Sequence, residues 1–321
     1  MTAPGQQARI WAKKILPESV VKVMRSPHRL MRSWIRRAKR NAMEPLDLTR
    51  LVADLRRAGI EAGDVVIVHS SLSRIGNVLG GATTVIRSII EAVSPGGTVI
   101  MPCYNSADEA VRRSNEGNPI DLRTARSATG IITETFRTWP GVFRSSHPFS
   151  SACAWGDKAE FITSGHDSDP HVCHAASPVG RLVALKGKVV GIAIPIAQGL
   201  GIAHYLEDTW DDFPFEVHSS NLAITYIDSG GKTIRREICR FDPKVAQTRI
   251  DYPAGKWICE TLTSHLARRG ILKPFRFGEV ESWAMEAVSL YEELKRLATK
   301  GMTMYLTKGR LTERNRDIEN W

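Results

Sequence analysis

A chain of 321 residues with 42% hydrophobic and 24% charged side chains has ample material for a true core, as two average domains or one large α/β domain. Its net charge of +10 suggests nucleic acid only until it is located: eleven Lys/Arg fall in residues 1–45 against Glu18 and Glu44, and the nearly neutral remainder offers no basic groove. Five scattered cysteines without a CxxC pair exclude a disulfide framework and read as reduced thiols, while no apolar run reaches the ~18 residues of a membrane span and no signal-peptide core opens the chain.

In the first 45 residues, Leu30, Met31, Trp34, Ile35 and Ala38 form one stripe of a helix whose other faces carry Arg29, Arg32, Arg36, Arg37, Lys39 and Arg40. Over residues 28–41 this basic amphipathic pattern suits an anionic membrane surface. The commoner use of such a stripe is packing on its own domain or on a second copy in a homodimer. The expected organisation is therefore a basic helical extension, residues 1–45, followed by a body, residues 46–321, in a cytoplasmic protein that touches the inner face of the membrane at most peripherally.

The body opens with a helical period over Leu46–Ala58, stopped by Gly59. The β-branched run Val65–Val68 reads as a buried strand. It leads through His69, Ser70 and Ser71 and past Gly76, Gly80 and Gly81 into a helix ending near Val93. A strand that delivers hydroxyls and a glycine-rich loop to a helix start can present N–H groups to an anion or a developing oxyanion; the plain alternative is a tight turn. Thr98–Met101 is a second short strand, so the pair predicts a parallel βαβ unit. Residues 104–127 are polar and aperiodic and read as a functional lid. A helix follows over 129–139, then a donor-rich loop Phe143–Pro148 and a strand over 151–155.

Ser177-Pro178 is a helix start, with a capping hydroxyl and proline at the first helical position. Lys188–Ile194 is another buried strand. Leu222–Ile227 and Thr233–Cys239 flank Asp228-Ser229-Gly230-Gly231-Lys232 as a hairpin, and two helices near 254–267 and 279–297 close the body. With no repeat and no second core, the expectation is a single α/β/α domain around a mixed, largely parallel central sheet.

The sharpest chemical signal is Gly199-Leu200-Gly201-Ile202-Ala203-His204-Tyr205-Leu206-Glu207, just past a strand end. On a helix His204 and Glu207 share a face, and a carboxylate that fixes an imidazole's tautomer makes the pair a general base; a surface ion pair is the bland reading. His166, His171, Cys173 and His174 match no zinc framework, so no metal is expected. The absence of a G-x-S-x-G elbow argues against a Ser70 or Ser71 nucleophile.

Four segments in order resemble the antibiotic acetyltransferase family typified by aminoglycoside 3-N-acetyltransferases. They are Gly63-Asp64 with His69-Ser70-Ser71-Leu72 and Gly80-Gly81; Gly97–Pro102; Phe136-Arg137, Pro140-Gly141 and Arg144-Ser145-Ser146-His147-Pro148; and Ser177-Pro178 leading to His204–Glu207. The resemblance implies transfer of an acetyl or related acyl group from acetyl-CoA, as co-substrate, to a primary amine of an aminoglycoside or amino sugar. His204 would be the base, Glu207 its orienting partner, and Ser70 or Ser71 would lie near the thioester oxygen. His69, Ser70, Ser71, Leu72, Ile75, Gly76, Val78, Gly80, Gly81, Arg144, Ser145 and Ser146 would line the donor. His147 and the acidic Asp208, Asp211 and Asp212 would face the small-molecule acceptor. The chain departs from drug-modifying members at Gln198–Ala203, where they carry Asp and Asn-Thr. A nucleotide-linked amino sugar bound for a surface polysaccharide, or a non-catalytic membrane-surface protein of the same fold, are the alternatives.

Overall fold

Val65–Val68 is the hub around which the sheet is ordered. A computed structural model describes residues 43–249 and 256–305. The amphipathic stripe of residues 28–41 lies outside them. The chain divides into two compact units, Met1–Pro45 and Leu46–Trp321, and every element from Leu48 onward belongs to the second.

In chain order the main elements are α1 (Leu48–Arg57), β1 (Val65–Ser70), α2 (Ala82–Val93), β2 (Thr98–Pro102), α3 (Ala107–Asn115), α4 (Ile131–Arg137), β3 (Phe143–Arg144) and β4 (Ala152–Gly156). There follow α5 (Ala159–Thr163), α6 (Pro178–Ala184), β5 (Lys188–Ile192), α7 (Gly201–Thr209), β6 (Leu222–Ile227), β7 (Thr233–Ile238), α8 (Lys256–Arg268), β8 (Lys273–Phe277), β9 (Val280–Glu286) and α9 (Ala287–Thr299). Seven strands form one sheet in the order β8-β9-β5-β1-β2-β4-β3. Its centre, β5-β1-β2, is parallel, and both flanks are antiparallel.

The mixed α/β/α architecture expected from the sequence is present. On one face Val66 and Val68 pack with Leu51 and Leu55 of α1, Ile86 and Ile89 of α2 and Phe136 of α4. On the other, Ile67 packs with Leu182 of α6, Leu206 of α7, Leu266 of α8 and Leu290 of α9. The cap read at Ser177 is satisfied, its Oγ accepting from Gly180 N at 3.1 Å to start α6, and Asp47 Oδ1 accepts from Arg50 N at 2.8 Å to cap α1, two residues after the start expected from the period.

Two expectations are corrected. Residues 104–127 are not an irregular lid. Ser106 caps α3, and Ile120–Asp121 runs parallel to β6, so that Ala110, Ile120 and Leu122 close a small separate core with Ile224 and Tyr226 of the β6–β7 hairpin. Residues 279–297 are not one helix either. Their first third is β9, which turns back on β8 at Gly278 (φ +61) and is buried on both faces: Trp283 and Met285 on one side, Ala284 on the other. A strand covered on two faces loses the alternation that would announce it. Among the described residues no helix is long and apolar enough to cross a membrane.

Candidate active site

The two strands that flank β1 are reached from opposite faces of the sheet. The path from β1 to β2 runs through α2, on one side, whereas α6 enters β5 from the other. A crevice therefore opens beyond the carboxyl end of β1, where open α/β sheets bind their ligands. A cavity of about 370 Å³ occupies it, lined by Ile67 and His69 of β1, Pro102 of β2, Ser177 at the start of α6, and Gln198 and His204 around the start of α7. Tyr104, His166 and Arg249 complete its polar wall.

His204 is 17% exposed at the side chain and its Nδ1 lies 2.7 Å from Oε2 of Glu207, whose carboxylate is almost fully buried. A carboxylate accepts, so Nδ1 carries the proton and Nε2 keeps a free lone pair. The same Oε2 accepts from the Tyr305 hydroxyl at 2.9 Å. Burial, followed by the Glu207 charge, drives the Tyr305 phenol far above its ordinary range, so it stays a donor. Phe241 packs against the His204 ring with centroids 4.9 Å apart. The pair is thus buried and held from several sides rather than a surface ion pair.

Helix α7 separates two spaces. His204 lines the cavity, whereas Glu207 and Asp208 line a second, open cleft of about 570 Å³ that also includes Asp211 and Glu216. Asp212 is exposed beside it and is not among its lining residues. Asp208 is anchored rather than free: Oδ2 accepts from Cys173 N at 2.8 Å and Oδ1 meets His218 Nε2 at 2.9 Å.

The structure distributes the loop residues differently from the sequence reading. His69 faces the cavity, and burial lowers its pKa to about 4, so it is neutral at physiological pH. The pleat turns Ser70 toward the opposite face, where its Oγ is buried without a hydrogen-bond partner. Ser71 ends β1 through its N–H to Ile192 O, with its hydroxyl 3.4 Å from that of Ser73. Ile75 is fully buried in the core, and Leu72 and Val78 pack against it. Gly76, Gly80 and Gly81 all adopt positive φ, and a Cβ at Gly80 would meet the Thr84 hydroxyl at 2.6 Å, so these glycines make the turn into α2.

The Arg144–His147 segment is likewise a buttress. The Arg144 guanidinium donates to the carbonyls of Leu122, Ala125 and Cys103 and to Ser151 Oγ and Asn105 Oδ1, at 2.6–3.2 Å, which commits its donors to the scaffold. Ser145 and His147 are completely buried. His166 Nε2 donates to Val172 O at 2.9 Å, so its Nδ1 accepts from the Ser145 hydroxyl at 2.8 Å. His147 Nδ1 accepts from the N–H groups of Phe149 and Ser150, and its ring stacks on His166. Ser146 Oγ pairs with Ser229 Oγ of the β6–β7 turn at 2.9 Å. Residues the sequence reading missed, notably Tyr305, Phe241 and Ser177, come from segments far from the glycine loop; of these only Ser177 had a local signal, its helix cap.

The departure at Gln198–Ala203 has a steric counterpart. A Cβ on Gly199 would sit 2.4 Å from the Trp283 ring, and one on Gly191 2.1 Å from it. The indole N–H of Trp283 donates to Ile194 O at 2.9 Å, which fixes the ring over both glycines.

Comparison with known proteins places this arrangement. The family model described as aminoglycoside 3-N-acetyltransferase matches residues 67–299. Aminoglycoside N(3)-acetyltransferase IX of Micromonospora chalcea is 29% identical over 262 residues, covering 76% of this chain and 90% of that protein. Aminoglycoside N(3)-acetyltransferase VIII of Streptomyces fradiae is 34% identical over 177 residues, 51% of this chain, and the matched part spans 61% of that relative. A solved structure described as AAC-IIIb binary with CoASH superposes with a TM-score of 0.69 at 26% identity, over 82% of this chain and all of that one. The chain is an acyltransferase and belongs to the aminoglycoside 3-N-acetyltransferase family.

Proposed function

We propose that the protein transfers an acetyl group from acetyl-CoA to a primary amine of an aminoglycoside or related amino sugar, with His204 as general base and Glu207 and Tyr305 as its positioning residues. The observation that carries this reading is the His204–Glu207 pair, its imidazole fixed through Nδ1 at the wall of a cavity beyond the parallel strand ends. The CoASH complex of a relative with the same fold supports the donor. The cleft on the other side of α7, with Glu207, Asp208, Asp211 and Glu216 along it, suits the further cationic groups of an acceptor whose reacting amine enters the cavity to reach His204.

An ammonium group cannot attack until it loses a proton, which leaves to solvent. His204 Nε2 takes the second proton as the amine nitrogen bonds to the thioester carbonyl carbon, and Glu207 stabilises the imidazolium that forms. Collapse of the tetrahedral intermediate breaks the carbon–sulfur bond, and the proton passes from His204 to the departing thiolate. The products are an amide and free coenzyme A. His69, neutral and facing the cavity, is better placed beside the thioester than Ser70, which the pleat directs away.

Release of coenzyme A thiol from acetyl-CoA, measured with aminoglycosides and nucleotide-linked amino sugars, tests the reading. His204→Gln is expected to lower kcat about 10²-fold or more with the circular dichroism unchanged. Undiminished thiol release in that variant would remove His204 from the mechanism. No turnover with any aminoglycoside, but turnover with a nucleotide-linked sugar, would move the acceptor to the second class.

A further inference from the structure

Three side chains distant in sequence converge on the wall of the acidic cleft: His171 in the loop before α6, His218 before β6, and Cys239 just after β7. One ligand atom from each lies within 4.8 Å of the others. The backbone that carries them is cross-tied. Cys239 N donates to Pro170 O at 2.8 Å, His218 bridges Phe241 in antiparallel fashion, and Ser219 N donates to Arg240 O at 2.7 Å. Each imidazole is oriented by a carboxylate, the arrangement that supports metal-bound histidines. Asp169 Oδ1 lies 2.8 Å from His171 Nδ1, which leaves Nε2 for a metal. Asp208 Oδ1 lies 2.9 Å from His218 Nε2, which leaves Nδ1, whose only close carboxylate among the described residues is the exposed Glu216 at 3.3 Å.

We infer that His171, His218 and Cys239 form a zinc site. Two imidazoles and a thiol are a borderline-to-soft donor set that suits Zn²⁺ and not the oxygen-seeking Mg²⁺ or Ca²⁺. Ligand atoms around a tetrahedral zinc stand about 3.5 Å apart, so modest side-chain rotation closes the cluster. On binding, the Cys239 thiol gives up its proton to solvent and the thiolate coordinates. Three protein ligands leave the fourth position to water or to a hydroxyl or amine of a bound acceptor, because all three line the cleft. Sequence reading set zinc aside because it weighed His171 against Cys173 and His174, its chain neighbours. The fold instead pairs His171 with two residues from beyond α7.

The test does not depend on acetyl transfer. The full-length protein, stripped with a chelator and titrated with Zn²⁺, is expected to take up about one equivalent. Co²⁺ in its place should give the intense visible bands of a tetrahedral ion and a thiolate-to-cobalt charge-transfer band in the near ultraviolet. Cys239→Ser should abolish the charge-transfer band. Asp169→Asn, which alters only the carboxylate behind His171, should weaken Zn²⁺ binding about 10- to 100-fold with the near-ultraviolet dichroism intact. Failure of the folded protein to take up either ion, or uptake unchanged in both variants, would overturn the site.

Discussion

Glu207 accepts two hydrogen bonds on one oxygen, from His204 and from Tyr305, and this doubling fixes the carboxylate that orients the proposed base. Half of it was legible, because His204 and Glu207 lie three residues apart on one helix face. The other half was not: Tyr305 is 98 residues further along the chain, and nothing in its neighbourhood marks it. Tyr305→Phe keeps the ring and removes one donor to the carboxylate. It should lower kcat about fivefold, the equivalent of one ordinary hydrogen bond, while leaving KM for acetyl-CoA unchanged. An unchanged kcat would mean that Tyr305 only fills space. Ser70 teaches the converse. Its hydroxyl fitted an oxyanion site by type, but a strand shows alternate residues to opposite faces, so His69 occupies the cavity side and Ser70 the other.

Elements failed to announce themselves where burial was two-sided or polarity was high. β9 presents Trp283, Ala284 and Met285 in succession to two different cores, so neither period stands out. In α3 only Ala110 is buried, which removes the apolar stripe, yet Ser106 and Glu109 sit at the spacing of a capping box and Glu109 N does bond Ser106 Oγ at 3.3 Å. That signal was available. The segment it begins is tied to the sheet by Arg144, whose guanidinium links the end of β2, the 122–125 turn and the start of β4. Arg144→Met should therefore cost about 3 kcal/mol or more in urea unfolding, since several half-buried carbonyls lose charged donors at once. A loss below about 1 kcal/mol would contradict a clamping role.

At the scale of the whole molecule, the interior stores neutral histidines. His69 and His166 both have their pKa lowered to about 4 by burial, and His147 lies well below its ordinary value for the same reason. At His69 and His166 the unfolded chain binds a proton near pH 6.5, whereas the folded chain does not until about pH 4. Stability is thus complete above pH 6.5 and falls as the pH descends toward 4. Between pH 7 and pH 5 His69 and His166 should each remove about 2 kcal/mol. Urea midpoints measured across that range should drop steeply, and a flat profile would show that these rings are solvated. The βαβ centre of this molecule, the cap of α6 and the β6–β7 hairpin followed from local pattern. The small core under α3 did not, since its apolar residues come in ones and twos from α3, residues 120–122, β6 and β7.

Helix α7 has one turn facing the cavity and the next facing the acidic cleft. If the acidic side draws a cationic amine while the cavity holds the anionic thioester, each can be gathered by its own surface before the amine passes into the cavity to meet His204. Such a partition favours a ternary complex over a covalent acyl-enzyme, with initial-velocity lines that intersect and do not run parallel. It also separates the evolution of the two specificities: the acidic side can change its guest while the imidazole and its carboxylate stay where the helix puts them.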